Sequence, residues 1–212
     1  MKYQVASDTG HTTLWVVFVL MVIAAASFAG LSWKVPVSRR IYHIAATLAT
    51  VIGAISYFAM ATGQGVTLRC GPTDHSHGHG HWSGHGYGHD HVHRGSGVCR
   101  EVYWARYIDW AVSTPILLVG LCLLAGVNGA HTLIAVAADL VMKLAGLFGA
   151  LSRRHGAQRW GWYVIAWVAY LCVIWHVAVH GSRTAKARGT TVAKVFGSLA
   201  LYALVLWTIY PM

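Results

Sequence analysis

Long runs of apolar residues dominate the pattern of hydrophobic and polar positions along this chain. Six such runs are joined by short polar segments, except for one long Gly- and His-rich segment at residues 63–101. The runs cover residues 12–33, 41–62, 102–127, 132–151, 160–179 and 192–212. Each is close to the roughly 20 apolar residues that an α-helix needs to cross a bilayer. Because helices satisfy every backbone hydrogen bond within runs of this length, the pattern predicts an all-α, multi-pass transmembrane helix bundle forming a single domain.

The composition excludes several classes of protein. Hydrophobic residues make up 56% of the 212 residues and charged residues only 10%, whereas a soluble domain usually has about 25% charged residues. A soluble enzyme, a disordered chain and a coiled coil are therefore excluded. The net charge of +10 comes from basic residues scattered between the apolar runs, which indicates contact with phospholipid headgroups and no nucleic-acid partner. These residues divide seven against seven between the two membrane faces, so charge does not predict the orientation.

Apart from Lys194 near the start of the last run, four residues with charged side chains lie inside the predicted spans, where a charge costs at least roughly 2.5–3.5 kcal/mol. Arg106 and Asp109 share one face of the third helix at spacing i, i+3. They form either a structural ion pair or a proton-accepting site, and the spacing leaves both interpretations open. Asp139 and Lys143 share a face of the fourth helix at spacing i, i+4. For them we expect a self-paired polar contact, or a Lys143 side chain that extends to the membrane interface.

The third predicted helix carries a specific motif. Residues 103–110 read Tyr-Trp-Ala-Arg-Tyr-Ile-Asp-Trp, followed by Ser113-Thr114-Pro115 and Leu117-Leu118. This stretch resembles the third helix of the microbial rhodopsins, which are seven-helix retinal proteins, and the fungal opsins are the most similar branch. Matches in other predicted helices are Ser56-Tyr57, Asp139, Met142, Gly146, Gly149-Ala150-Leu151, Leu206-Trp207, Tyr210 and Pro211. The resemblance covers all six predicted helices and implies an extracellular N-terminus.

The resemblance implies a role for each matching residue. Asp109 would be the counter-ion of a protonated retinal Schiff base and its primary proton acceptor, with Arg106 as the cation coupled to it. Asp139 would form a hydrogen bond behind the retinal. The retinal site would be lined by Tyr107, Trp110, Thr114, Leu117, Met142, Gly146, Trp207, Tyr210 and Pro211. The expected cofactor is retinal, the expected partners are protons and the lipid bilayer, and no enzyme activity is implied. Relatives form dimers or trimers, and the sequence leaves the oligomeric state open.

Two departures from the family pattern affect the expected activity. Outward proton pumps carry a carboxylate, as proton donor, at the position of Gly120. Without that acid we expect the retinal Schiff base to be reprotonated slowly. The protein would then be a sensor or a slow pump. The resemblance also places the retinal-bearing lysine on a seventh helix, whereas this sequence ends at Met212. We therefore expect a fragment covering helices one to six, with genuine loss of the seventh helix as the alternative. Lys143 does not occupy the attachment position.

Residues 74–93 form a Gly- and His-rich stretch within the long segment. Its imidazoles are weak candidates for metal ligands, because ordering a glycine-rich chain costs conformational entropy. They are His75, His77, His79, His81, His85, His89, His91 and His93. The remaining histidines lie near helix ends, where we expect interfacial positions rather than ligands: His11, His43, His131, His155, His176 and His180. Cys70 and Cys99 bracket the stretch and are expected to form a disulfide if it faces an oxidising compartment.

The sequence thus predicts a retinal-based photoreceptor or light-driven proton-translocating opsin, in the plasma membrane or an internal membrane. Two alternatives remain open. One is an opsin-related membrane protein without photochemistry, with a chaperone-like or stress role. The other is a metal-binding membrane protein that uses its His-rich stretch. The presence of Arg106, Tyr107, Asp109 and Trp110 favours the photochemical hypothesis, since relatives without photochemistry usually lose these polar residues.

Overall fold

The computed structural model describes residues 2–4, 7–72, 97–152 and 156–209. Within these residues, six helical spans are long and apolar enough to cross a membrane. They are Asp8–Trp33, Val37–Ala61, Trp104–Ala125, Gly129–Leu151, Ala157–Arg188 and Thr190–Thr208. The protein is therefore an integral, multi-pass membrane protein, and the predicted fold class, a transmembrane helix bundle, is confirmed.

The elements follow one another in a simple order along the chain. They are β1 (Lys2–Gln4), α1 (Asp8–Trp33), α2 (Arg40–Ala61), β2 (Thr67–Pro72), β3 (Gly97–Val102), α3 (Trp104–Ala125), α4 (Gly129–Leu151), α5 (Ala157–Ile174), α6 (Ser182–Arg188) and α7 (Thr190–Ile209). A 3-10 turn over Val37–Arg39 precedes α2, and a π-helical segment over Trp175–Gly181 joins α5 to α6. The fifth membrane span therefore consists of α5, the π segment and α6, and α7 is the sixth.

Capping residues explain where several helices begin and end. The Ser7 side chain accepts a hydrogen bond from the backbone N–H of Gly10 at 3.2 Å, at the start of α1. Asn128 caps α4 in the same way, through the N–H of His131 at 2.9 Å. Gly126 ends α3 with a left-handed φ of 74°, a conformation that glycine adopts without steric cost.

The structure corrects the predicted join between the fifth and sixth spans. We expected residues 180–191 to form a loop, but the helix continues through the π segment and α6 as far as Arg188. The charged residues of α6 end the apolar run, yet none of them breaks a helix, because Ala, Lys and Arg have high helix propensity. The chain turns at Gly189, where φ is 126°.

The two ends of the long segment, β2 and β3, form a small sheet with the N-terminal strand β1. The strand order is β1-β3-β2. Strand β3 pairs with β2 in antiparallel and with β1 in parallel orientation. The register places Cys70 opposite Cys99, and the two form a disulfide. The Arg100 side chain donates a 2.8 Å hydrogen bond to the carbonyl of Ala150, which connects the sheet to the end of α4. Residues 73–96, including the eight histidines of the predicted weak metal site, lie outside the described residues.

Besides a small cluster of Met142, Ala169 and Tyr170, the buried side chains of the described residues form two larger clusters. One lies where α3, α4, the π segment, α6 and α7 meet, and includes Leu118, Cys122, Ala135, Val177, Ala185 and Phe196. The other lies near the sheet and consists of Leu14, Met60, Ala61 and Ala105. Large apolar side chains such as Ile23 and Leu201 are exposed on the outer faces. Helices that are apolar on the outside as well as the inside are typical of a bundle surrounded by lipid.

Candidate functional site

A cavity of about 690 Å³ lies between α3, α4, α5 and α7. Aromatic side chains make up much of its wall: Tyr103, Tyr107, Trp110, Trp162, Tyr163, Trp167, Tyr170 and Trp207. Small residues of α4 line the opposite side, and a Cβ built at Gly146 would lie 3.4 Å from the Tyr107 ring. A larger residue there would fill the space beside the ring. An apolar, aromatic cavity of this size is typical of a site for a largely apolar small molecule.

Asp109 is buried on the side of α3 that faces α2. Its residue is only 7% exposed, and a hydrogen bond links its carboxylate to the side chain of Ser113. A Cβ built at Gly53 would lie 3.9 Å from both carboxylate oxygens, so α2 packs directly against this group. Among the described residues, Oδ1 of Asp109 has no hydrogen-bond partner. A buried carboxylate oxygen without a partner is costly, which makes Asp109 a candidate for function.

Arg106 lies one helical turn before Asp109 and lines the cavity. Its guanidinium lies over the Tyr103 ring, with Cζ 5.7 Å from the ring centroid. The hydroxyl of Tyr103 donates a 2.9 Å hydrogen bond to Glu101. Burial, this hydrogen bond and the negative charge of Glu101 together raise the pKa of Tyr103. The end of the cavity nearest the sheet is therefore polar.

A polar cluster lies at the cavity wall between α3 and α4, where Thr114 and Lys143 line the cavity and Asp139 lies behind them. Thr114 Oγ1 donates a 2.5 Å hydrogen bond to Oδ2 of Asp139, and Oδ1 of Asp139 lies 3.5 Å from Nζ of Lys143. The Lys143 ammonium lies 4.7 Å from the ring centroid of Trp207 and 5.9 Å from that of Trp110, within cation–π range. Because Lys143 is only 8% exposed, its side chain does not extend to the interface. Of the two expected arrangements, the structure contains the contact between Asp139 and Lys143.

The sequence profile of the family described as bacteriorhodopsin-like protein matches residues 8–212. The chain belongs to the bacteriorhodopsin-like family. It is 52% identical to Opsin-1 of Neurospora crassa, covering 99% of this chain and 66% of Opsin-1. It is 31% identical to the opsin-like protein carO of Fusarium fujikuroi, covering 95% of this chain and 60% of carO. The chain thus spans about two thirds of the length of these curated relatives.

Solved structures of the bacteriorhodopsin-like family show the same fold. The light-driven proton pump LR (Mac) from Leptosphaeria maculans superposes with a TM-score of 0.87 at 46% identity, covering 100% of this chain and 82% of the pump. The light-driven proton pump from Coccomyxa subellipsoidea superposes with a TM-score of 0.83 at 33% identity, covering 99% of this chain and 82% of the pump.

The structure brings most of the residues expected at the retinal site of a bacteriorhodopsin-like protein to the cavity. Those that line it are Tyr107, Trp110, Thr114, Met142, Gly146 and Trp207. Leu117 does not line it and is 47% exposed, because it lies at the edge of the inward face of α3 and turns outward. Asp109 and Asp139 lie behind the wall rather than in it. Tyr210 and Pro211 lie outside the described residues.

The cavity residues that sequence analysis missed lie mainly on α5. Tyr163, Trp167 and Tyr170 form edge-to-face ring pairs, with centroids 6.1 and 5.8 Å apart. Tyr170 also donates a 2.8 Å hydrogen bond to the carbonyl of Leu204 on α7. Their spacing of i, i+4, i+7 places all three on one helix face. That spacing is visible in the sequence and would have identified this wall of the cavity.

Proposed function

We propose that this protein is a retinal-binding opsin that moves protons in response to light, acting as a slow pump or as a photosensor. The observation that carries the proposal is Asp109, a buried carboxylate whose Oδ1 has no partner among the described residues. It is the immediate neighbour in α3 of Trp110, which lines the cavity. Membership of the family supports retinal as the ligand. The two similar structures described as light-driven proton pumps support protons as the transported ions.

The cavity suits retinal in size and in chemistry. Its volume of about 690 Å³ falls within the range of roughly 300–1,000 Å³ that is usual for small-molecule sites. Trp110 and Trp207 approach it from α3 and α7, while Met142 and Gly146 form its α4 side. Such walls would hold an elongated apolar molecule by contact area and would exclude water. The hydrogen bond from Thr114 to Asp139 fastens α3 to α4 directly behind these residues.

In this proposal, Asp109 and Arg106 of α3 are the residues that take part in proton transfer. When bound through the lysine that the resemblance places on a seventh helix, retinal would supply absorption of visible light and a light-triggered change in the position of the proton-bearing lysine nitrogen. Asp109 would accept that proton on its carboxylate. A carboxylate removed from water changes its protonation state when a nearby charge moves. Arg106 lies on the same helix face one turn away, and we propose that its guanidinium responds to the change in charge when Asp109 takes up the proton.

Gly120 is the residue from which we expect a slow light-driven cycle. It lies eleven residues after Asp109 in α3, about 16 Å farther along the helix axis. Among the described residues, a Cβ built at Gly120 would have no heavy atom of another element within 4 Å. Since glycine carries no acid, return of the proton depends on water from the opposite membrane face. This favours a slow cycle.

The Asp109→Asn variant tests the assignment of the proton acceptor. The variant is made in the complete product of the gene, including any residues that follow position 212, and retinal is added. We expect the visible absorption band to shift to the red and light-driven proton transport to be lost, because an amide neither balances a positive charge nor accepts the proton. Asp8→Asn, at the exposed start of α1, is the matched control and should change neither property.

The outcomes separate the hypotheses. An unshifted band with normal transport in Asp109→Asn would contradict the assignment. If the unsubstituted protein forms no visible band with retinal, the photochemical proposal is wrong, and an opsin-related membrane protein without photochemistry becomes the better hypothesis.

The Gly120→Asp variant tests the cause of the slow cycle. A carboxylic acid at this position should speed recovery of the absorption band after a flash by at least about 100-fold, the lower end of what a positioned general acid contributes. Gly120→Ala makes a similar backbone change without the acid and is the control. If Gly120→Asp recovers at the same rate as Gly120→Ala, return of the proton does not limit the cycle.

A further inference from the structure

Three histidines from two membrane spans meet at one end of the bundle. His131 lies in the first turn of α4, and His176 and His180 lie in the π segment. One ring nitrogen of each lies within 4.8 Å of the others, and all three residues are half-buried. The sequence predicted interfacial positions for these histidines rather than ligand positions, and the structure brings the three rings together. We propose that His131, His176 and His180 form a binding site for a divalent transition-metal ion, Zn²⁺.

Local structure explains how the three imidazoles come together. Asn128 caps α4 by accepting a hydrogen bond from the N–H of His131, which fixes the backbone at that residue. In the π segment the backbone bonds run from residue i to i+5, so the turn is wider than in an α-helix. His176 and His180 remain on one face of that turn, with ring centroids 5.6 Å apart and ring planes 22° apart. Single π turns within α-helices occur frequently at functional sites.

The distances between donor atoms suit a shared metal ion. Nδ1 of His131 and Nδ1 of His176 are 3.0 Å apart. Two nitrogens bound to one tetrahedral Zn²⁺ at about 2.0–2.1 Å lie about 3.3 Å apart. The ring of His180 stacks on that of His131, with centroids 4.1 Å apart, and its ring nitrogen lies within 4.8 Å of the other two. Imidazole is a good ligand for Zn²⁺, and three protein ligands leave a fourth position for water.

This site is separate from the His-rich stretch at residues 74–93. Successive membrane spans run in opposite directions, so the start of α4 and the end of the fifth span share one membrane face. The end of α2 and the start of α3 lie at the other face. The histidines of residues 74–93 are different residues from those of the cluster, so they can be replaced and metal binding by the cluster measured by itself.

Without a metal, the same side chains form a hydrogen bond between His131 and His176 within a stack of rings. A purely structural stack and a metal site make opposite predictions for Zn²⁺. The stack has no affinity for the ion beyond that of any exposed histidine. The metal site binds one ion per chain and needs all three imidazoles.

The experiment is a Zn²⁺ titration of the full chain in lipid nanodiscs, in competition with a chromophoric chelator. The eight histidines of residues 75–93 are first replaced by asparagine, so that the His-rich stretch does not contribute. In this background we expect one Zn²⁺ per chain. Each of His131→Asn, His176→Asn and His180→Asn should weaken binding by at least about tenfold, since even outer-shell partners of metal ligands change the affinity by that factor.

His43→Asn is the matched control, because His43 is half-buried near the start of α2 and lies at the same membrane face outside the cluster. It should leave the Zn²⁺ affinity unchanged. Each variant is also heated without metal, and an unchanged melting temperature shows that a loss of binding is not a loss of fold. Failure of the background protein to bind one equivalent of Zn²⁺, or equal affinities in the cluster variants and His43→Asn, would overturn the proposal. The result does not depend on retinal or light.

Discussion

Thr114 on α3 donates a hydrogen bond to Asp139 on α4, with 2.5 Å between Oγ1 and Oδ2, and both residues are buried. The bond joins two helices at the back of the cavity, and Asp139 also lies 3.5 Å from the ammonium of Lys143. The Asp139 carboxylate thus has one hydrogen bond, from α3, and one ion pair within its own helix. The hydrogen bond links the α3 and α4 walls of the cavity.

Replacing Thr114 by valine should lower the free energy of unfolding by about 1–3 kcal/mol, because Oδ2 of Asp139 loses its donor while the side-chain volume is kept. Thr114→Ser keeps the hydroxyl and is the control. The measurement is reversible unfolding in mixed detergent micelles. Equal stability of the valine and serine variants would show that the hydrogen bond contributes little.

Gly181 and Gly197 lie on neighbouring helical elements and should respond oppositely to alanine. A Cβ at Gly181 would lie 2.5 Å from Cζ of Phe196, whose residue is only 1% exposed. Gly181→Ala should therefore destabilise the bundle by about 1–3 kcal/mol through overpacking. A Cβ at Gly197 meets nothing within 4 Å, so Gly197→Ala should be neutral or stabilise by up to about 1 kcal/mol. Unfolding of both variants under one condition checks the difference in sign.

The disulfide between Cys70 and Cys99 should contribute strongly to stability. It closes a loop with a sequence separation of 29 residues, for which the chain-entropy model gives about 3–4 kcal/mol. Cys99→Ser should lower the melting temperature, and reductant should lower that of the unsubstituted protein to the same value. Cys172→Ser, which changes a free half-buried cysteine, is the control and should keep the sensitivity to reductant. A melting temperature unaffected by Cys99→Ser would contradict this prediction.

The membrane spans could be predicted from the sequence because lipid imposes a simple rule on apolar runs. The same rule failed at residues 180–191, where the apolar run ends but the helix does not. Polarity marks the edge of the bilayer, whereas the helix continues until a residue such as Gly189 turns the chain. The sheet could not be predicted either, because β2 and β3 are separated by residues 73–96 and pair through long-range contacts that leave no local pattern.

At the candidate site, the resemblance of the α3 motif to the family pointed to Tyr107, Trp110 and Thr114, which line the cavity, and to Leu117, which does not. The sequence could not decide whether Lys143 contacts Asp139 or extends to the membrane interface. The two differ only in the direction of the side chain, which depends on Trp110 and Trp207 from other helices. The histidine cluster was missed for a related reason. The pair at 176 and 180 has the spacing of two ligands on one helix face, but its partner His131 lies 45 residues before His176.

The disulfide also indicates which way the chain lies in its membrane. Disulfides form and persist in oxidising compartments, and cytosolic thiols keep cysteines reduced. The sheet that contains Cys70 and Cys99 therefore faces the cell exterior or an organelle lumen. The His131 cluster then faces the cytosol, where thiols compete for Zn²⁺. Redox chemistry thus supplies an orientation that the evenly divided basic residues leave undecided.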